Sequence, residues 1–341
     1  MIEIEKDLLQ IRPTRVLFGT SFHTSECIVS GTSGINRIIG IIPGLAGESL
    51  ETMFSVFSKR YAGTAQIWGS LHSGIKCNAN NAELLAGTEF TEGEIINGNA
   101  QATHGGLVKK EGVTVDDWVR DVENMILHTE GTQIDLITHS LGGPIAMTAL
   151  GNLIGKQRIN LRNQRICIFC VSGPFYSLTD LPDRTTLLGF PTTDGSDFSY
   201  YSDKRGDHTE RINAFDDRIP MSSKHALINE MKHYLDKSGS MYTNRDESLF
   251  KTQLASFFQH MEENIFLVGE AKIRVVALYP SLDRWVGRKA ASNIDRWMSH
   301  PVSLHVDDPR YYFRSSVGVN VHNKPDSWVP LLINIYEKYQ L

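Results

Sequence analysis

The chain has 341 residues, 41% of them apolar and 21% charged, with a formal net charge of −5 at pH 7. This composition belongs to a globular protein with a sizeable core, either one large α/β domain with an insertion or two ordinary domains. An acidic balance without any cluster of Lys and Arg argues against nucleic acid as a partner.

The opening MIEIEKDLLQIRPTR has acidic residues where a secretory leader has basic ones, and no stretch approaches the roughly 18 apolar residues of a membrane span. A cytoplasmic protein is expected, or one exported without the usual leader. Three strands are predicted next, RVLFGTSF, ECIVSG and RIIGIIP, separated by turn formers. The third has a continuous apolar run, Ile38–Ile42, as suits a strand covered on both faces. It leads into Pro43-Gly44-Leu45-Ala46-Gly47, where two glycines let the backbone turn tightly, and then into a helix over Leu50–Tyr61. Thr64–Trp68 reads as a fourth strand. Residues 70–112 are too long for a structureless loop, so short helices or a flap are expected. A helix over Val113–Thr129 follows, with Thr114 as cap, Asp116 and Asp117 in its first turn and an apolar stripe of Trp118, Val122, Met125 and Ile126.

The most informative stretch is IDLITHSLGGPIAMTAL, residues 134–150. It reads as a buried strand, a tight turn at Ser140, and a helix. A serine on such a turn has its hydroxyl pushed out above the sheet edge, and the next amide, that of Leu141, faces the space where a substrate oxyanion would form. Small residues are needed two before and two after the serine. Gly142 meets that need and Thr138 meets it less well.

Arg165–Ser172 is another buried strand, so strands and helices alternate as in a mostly parallel sheet with helices on both faces. The rhythm breaks over residues 174–268, which are turn-rich and aromatic and then carry helical patterns near 222–237 and 246–267. In the second of these, Phe250, Leu254, Phe257, Phe258 and Met261 share a face, a stripe suited to core. The sheet resumes at Ile273–Tyr279, followed by Asp283 in PSLDRWVG. A last strand is expected at Tyr311–Val317 or Val302–Val306. His322 then lies in GVNVHN, before a final helix over Trp328–Tyr339 with Trp328, Leu331, Leu332, Ile335 and Tyr336 inward. Of the cysteines, Cys27, Cys77, Cys167 and Cys170, none has zinc-ribbon spacing, and buried free thiols are expected.

The ordered set of glycine loop, H-S-L-G-G elbow, aspartate and histidine resembles the α/β-hydrolase superfamily, and within it lipase- and esterase-like serine hydrolases. The resemblance implies the α/β-hydrolase fold, with 174–268 as a cap or lid inserted between its sixth and seventh strands. It makes PGLAG the oxyanion loop, with Pro43 where the family usually has histidine. The oxyanion donors would be the amides of Leu45 and Leu141, worth about 3 kcal/mol each. Ser140 would be the nucleophile, His322 its base and Asp283 the acid that orients the imidazole. Asp180, Asp183 and Asp217 are alternatives for the acid, and His300 and His305 for the base. The chemistry implied is cleavage of a carboxylic ester, lipid-like in character, through an acyl-enzyme that needs no metal or organic cofactor. The lid would be the part to touch a membrane surface. A thioesterase, an acyltransferase, or a binding protein that keeps the fold without the activity are the competing readings.

Overall fold

The computed structural model describes residues 14–19, 23–44, 49–71, 89–90, 115–129, 131–175, 257–258, 260–280, 288–298, 312–317 and 325–340. Within them lie the strands β1 (Thr14–Gly19), β2 (Thr24–Ser30), β3 (Arg37–Ile42), β4 (Gln66–Leu71), β5 (Glu89–Phe90), β6 (Gln133–His139), β7 (Arg165–Val171), β8 (Arg274–Pro280) and β9 (Tyr312–Val317). The helices are α1 (Leu50–Tyr61), α2 (Val115–His128), α3 (Gly142–Gly155), α4 (260–270), α5 (Arg288–Met298) and α6 (Pro325–Tyr339). All nine strands form one sheet in the order β5-β1-β2-β4-β3-β6-β7-β8-β9. From β4 to β9 every neighbouring pair is parallel, while β2 runs antiparallel to both β1 and β4.

The parallel block is apolar because it is covered twice. Along β3, Ile38 and Ile42 face one core while Ile39 and Ile41 face the other, and β7 divides Ile166, Ile168 and Cys170 from Cys167, Phe169 and Val171 in the same way. Successive side chains of a strand point to opposite faces, so two cores grow from one sequence run. The first core takes in α2, α3, α4 and α5; the second takes in α1 and α6. Phe257, Phe258 and Met261 are buried in the first core, as the stripe reading expects. Phe250, Leu254 and the rest of the expected cap outside residues 174–175, 257–258 and 260–268 lie outside the described residues, as do Thr114 and Cys77. Cys27, Cys167 and Cys170 are buried free thiols, and burial pushes the Cys170 thiol up to about 12. Among the described residues no helix is long and apolar enough to cross a membrane.

Three elements depart from the sequence reading. The fourth strand sits later than Thr64–Trp68, because Gln66–Leu71 is what pairs with both β2 and β3. Gly69, which weakens the strand signal, is required there: an added Cβ would come within 2.9 Å of Ile28 and 3.0 Å of Phe54. The edge strand β5 has two residues, too few to show a period. Helix α5 has a polar sequence, RKAASNIDRWM, and among its described side chains Asn293, Ile294, Trp297 and Met298 are buried.

Two buried charge clusters fasten the periphery. On β6, Asp135 is fully buried and accepts hydrogen bonds from the Tyr336 hydroxyl of α6 at 2.6 Å and from Arg37 Nε and Nη2 of β3 at 3.2 and 3.1 Å. Arg37 also donates to Gln340, so the C-terminal helix is tied to the middle of the sheet. Burial raises the Asp135 carboxyl, and the Tyr336 and Arg37 donors pull the other way.

The second cluster joins α2 to the β1–β2 hairpin. Asp117 and Asp121, one turn apart, flank His23: Nε2 is 2.8 Å from Asp121 Oδ1, and Nδ1 is 3.3 Å from Asp117 Oδ1, an ion-pair contact. Asp117 was expected only to complement the helix dipole, whereas Asp116 is exposed and Asp117 faces inward. Burial works against a charged His23, but the two carboxylates outweigh it and move its pKa from the usual 6.5 up to about 9. Stability from this raised pKa is complete below 6.5 and disappears as pH climbs through about 9. Unfolding measured by urea titration across this range should show the parent losing stability between pH 7 and 9.5. His23→Gln, which leaves two buried carboxylates without their cation, should be about 3 kcal/mol less stable at pH 6.5 and lack that alkaline decline.

Candidate active site

Parallel strands that end at one level put their following loops side by side at the carboxyl edge of the sheet. Ile42 of β3 is level with Thr138 of β6, and His139 of β6 is level with Val171 of β7. Ser140 therefore leaves the sheet between the ends of β3 and β7. Its N–H donates to Val171 O at 2.8 Å, and its carbonyl accepts from the Gly143 N–H at 3.0 Å. Its φ is +51°, a left-handed backbone that a non-glycine residue rarely adopts. Such strain is held only where the surroundings over-determine it, and such residues concentrate at functional sites. The side chain is half-buried. Leu141 follows in right-handed helical geometry, fully buried, and α3 starts at Gly142. The first amides of a helix have no intrahelical acceptor and carry the positive end of its dipole, so the space beside Ser140 favours developing negative charge.

The glycines around the serine are there for want of room. A Cβ on Gly142 would lie 2.5 Å from Ile42 O and 2.6 Å from Pro43 O, both backbone atoms that cannot swing away. On Gly44 it would fall 2.9 Å from Ser140 Cβ and 3.3 Å from His139 Nδ1, so Gly44 lies directly against the serine turn. Thr138 fits where a glycine was expected because Gly143 leaves space beside it: an added Cβ there would sit 3.4 Å from Thr138 Oγ1. The threonine hydroxyl donates to Phe169 O at 3.2 Å and so is not left unpaired under the turn.

The neighbouring His139 and Ser49 were not singled out by sequence reading. His139 is buried, its Nδ1 is joined to Ser49 Oγ by a 2.9 Å hydrogen bond, and its ring stacks on Trp328 at 5.1 Å. The only signal for His139 was its place in H-S-L-G-G; for Ser49 there was none. Of the expected site residues, Ser140 and Leu141, consecutive in the chain, are the two that the structure describes. Leu45, Asp283 and His322 lie outside the described residues, as do Asp180, Asp183, Asp217, His300 and His305. The strands that lead to two of them are in place: β8 ends at Pro280 and β9 at Val317, paired with each other in parallel.

No family model matches the chain, and no curated protein matches its sequence. Solved structures do match it in shape. The haloalkane dehalogenase DatA of Agrobacterium tumefaciens C58 gives a TM-score of 0.51 at 10% identity, over 96% of this chain and 97% of its own. The thioesterase domain from the curacin biosynthetic pathway gives 0.50 at 8% identity, over 96% and 99%. A candidate lipase of Acinetobacter baumannii AYE gives 0.50 at 14% identity, over 96% and 91%. With the strand order and the serine turn between β6 and α3, these likenesses establish the class: the chain has the α/β-hydrolase fold. At such identities the likeness is one of architecture, and the chemistry has to be argued from the site.

Gly142 gives the sharpest test of this packing. Gly142→Ala forces its methyl against two backbone carbonyls and should destabilise the protein by about 1–3 kcal/mol, read as a lower urea midpoint. An unchanged midpoint would mean that α3 does not press on β3 in this way.

Proposed function

We propose that this chain is a serine hydrolase that cleaves a carboxylic ester, lipid-like in character, by a two-step acyl transfer. Ser140 attacks the acyl carbon while His322 takes its proton; His322 returns that proton to the leaving alcohol; water then releases the acyl group from Ser140 with His322 again as base. Asp283 holds the imidazole in the tautomer that can accept the serine proton. The amides of Leu45 and Leu141 receive the oxyanion.

The observation that carries this reading is the strained left-handed Ser140 at the carboxyl edge of the sheet, with α3 behind it and Gly44 in contact. Leu45 follows Gly44 directly, Asp283 comes soon after the end of β8, and His322 soon after that of β9, which supports these assignments without adding a further group to the site. The ester preference rests on the H-S-L-G-G wording of the elbow.

A fluorophosphonate probe, which phosphonylates activated serines, should label the parent and neither Ser140→Ala nor His322→Ala. Asp283→Asn should keep the fold and lower kcat on a p-nitrophenyl ester by about 10⁴-fold. A chain-length series of such esters would then define the acyl pocket, and adding an alcohol would reveal acyl transfer as a second product. Failure of the folded parent to label would favour a binding protein. Labelling that survives His322→Ala would move the base to His300 or His305.

A further inference from the structure

Ser49 stands immediately before α1, where a serine ordinarily turns its oxygen onto the first amides of the helix. It makes no such bond. Its backbone is left-handed, φ 67°, and its Oγ is turned instead onto His139 Nδ1 at 2.9 Å. Its carbonyl still opens the helix, accepting from the Met53 N–H at 3.0 Å. A serine that gives up a helix cap and accepts a strained backbone is a local rule broken at one residue, and such breaks collect where function constrains the chain.

The group it reaches is the residue bonded to Ser140. His139 follows Asp135 and Ile137 in facing α1 and α6 and is boxed in on several sides. Trp328 of α6 stacks on one face, the rings 26° from parallel. Gly44 approaches Nδ1 so closely that a methyl there would stand 3.3 Å away. Gly44 and Ser49 lie at the two ends of the segment that joins β3 to α1, and both meet the same imidazole.

We infer that His139 is a positioning residue of the acyl-transfer site, holding Gly44 and Ser49 against the turn that carries Ser140 through its bond to Ser49. This rests on the serine-hydrolase reading, since the segment supplies the Leu45 amide to the oxyanion. The imidazole takes no proton from the substrate. It sets the distance between two pieces of backbone, the one that carries Ser140 and the one on which Gly44 and Ser49 lie, and a reacting centre whose surroundings shift by a fraction of a bond length loses rate.

The test uses the full chain with three substitutions. His139→Phe keeps a flat ring for Trp328 and loses the bond; Ser49→Ala loses the same bond from the other side; His139→Asn keeps a polar atom at the place of Nδ1. On a p-nitrophenyl ester, His139→Phe and Ser49→Ala should each lower kcat by about 10- to 100-fold with KM within about twofold. His139→Asn should recover most of that loss. The double variant His139→Phe/Ser49→Ala should be no slower than the slower single, because both remove one shared contact. The fluorophosphonate labelling rate should fall in step with kcat. Single variants with the parent's kcat, or losses that multiply in the double variant, would overturn the inference while leaving the hydrolase reading intact. A parent that does not label at all removes that reading, and the positioning role with it. Should His139→Phe fail to fold, Ser49→Ala decides alone, since it removes a hydroxyl and leaves the core volume nearly unchanged.

Discussion

The architecture depends on one crowded place, the contact between the first turn of α3 and the carbonyls that end β3. Gly142 must approach Ile42 O and Pro43 O to within a distance no Cβ permits. For the helix to come so near, the chain has to reverse within a single residue after β6, and Ser140 absorbs the reversal in a left-handed backbone. The hydroxyl is thereby lifted out of the sheet and given a fixed direction. Packing this close leaves the turn little freedom, because backbone carbonyls cannot swing away from the helix that presses on them.

The rest of the sheet supports that point from both sides. Two cores, each many side chains deep, press on opposite faces of β3, β6, β7 and β8. Hydrophobic contact is not directional, so it sets how tightly the layers pack more than where each helix sits along its strand. Buried charge supplies the address. Asp135 accepts from Tyr336 and Arg37 and so fixes α6 beneath β6, while His23 between Asp117 and Asp121 fixes α2 on the hairpin. A charge buried without its partner costs several kcal/mol, so these clusters leave one acceptable placement for each helix. The placement of α6 also brings Trp328 onto His139, which joins the outer helix to the serine turn.

Much of the parallel core was legible because it obeys short-range rules. Continuous apolar runs at Ile38–Ile42 and Ile166–Val171 mark strands buried twice, and the stripes of α1 and α2 carry a helical period that survives in the structure. The serine turn was legible for a similar reason: Gly142 and Gly143 are close to Ser140 in sequence as well as in space. Elements whose existence depends on a distant partner were not. The strand β5 is two residues that become a strand only by pairing with β1. The helix α5 has few apolar residues and is defined by what it covers, with Asn293 donating to Phe175 O at 2.9 Å. Asp117 read as a first-turn charge that complements the helix dipole, and nothing local joins it or Asp121 to His23 until the fold brings them together.

The sequence by itself determined the alternation of strand and helix, the position of the serine turn and the need for a small residue at Gly142. Each of these is written in spacings of a few residues, where sterics and period act directly. Only the tertiary structure decided that Thr138 is compatible with the turn, that Ser49 serves His139 instead of its own helix, and that Asp135 and His23 are buried beside their partners. Thr138 is settled by Phe169 on the next strand, 31 positions on, and the others join residues some ninety to two hundred positions apart, as Ser49 with His139 and Asp135 with Tyr336 show. No local pattern encodes such a meeting; it exists only once the parallel sheet has brought the strand ends to one edge and the helices to its two faces.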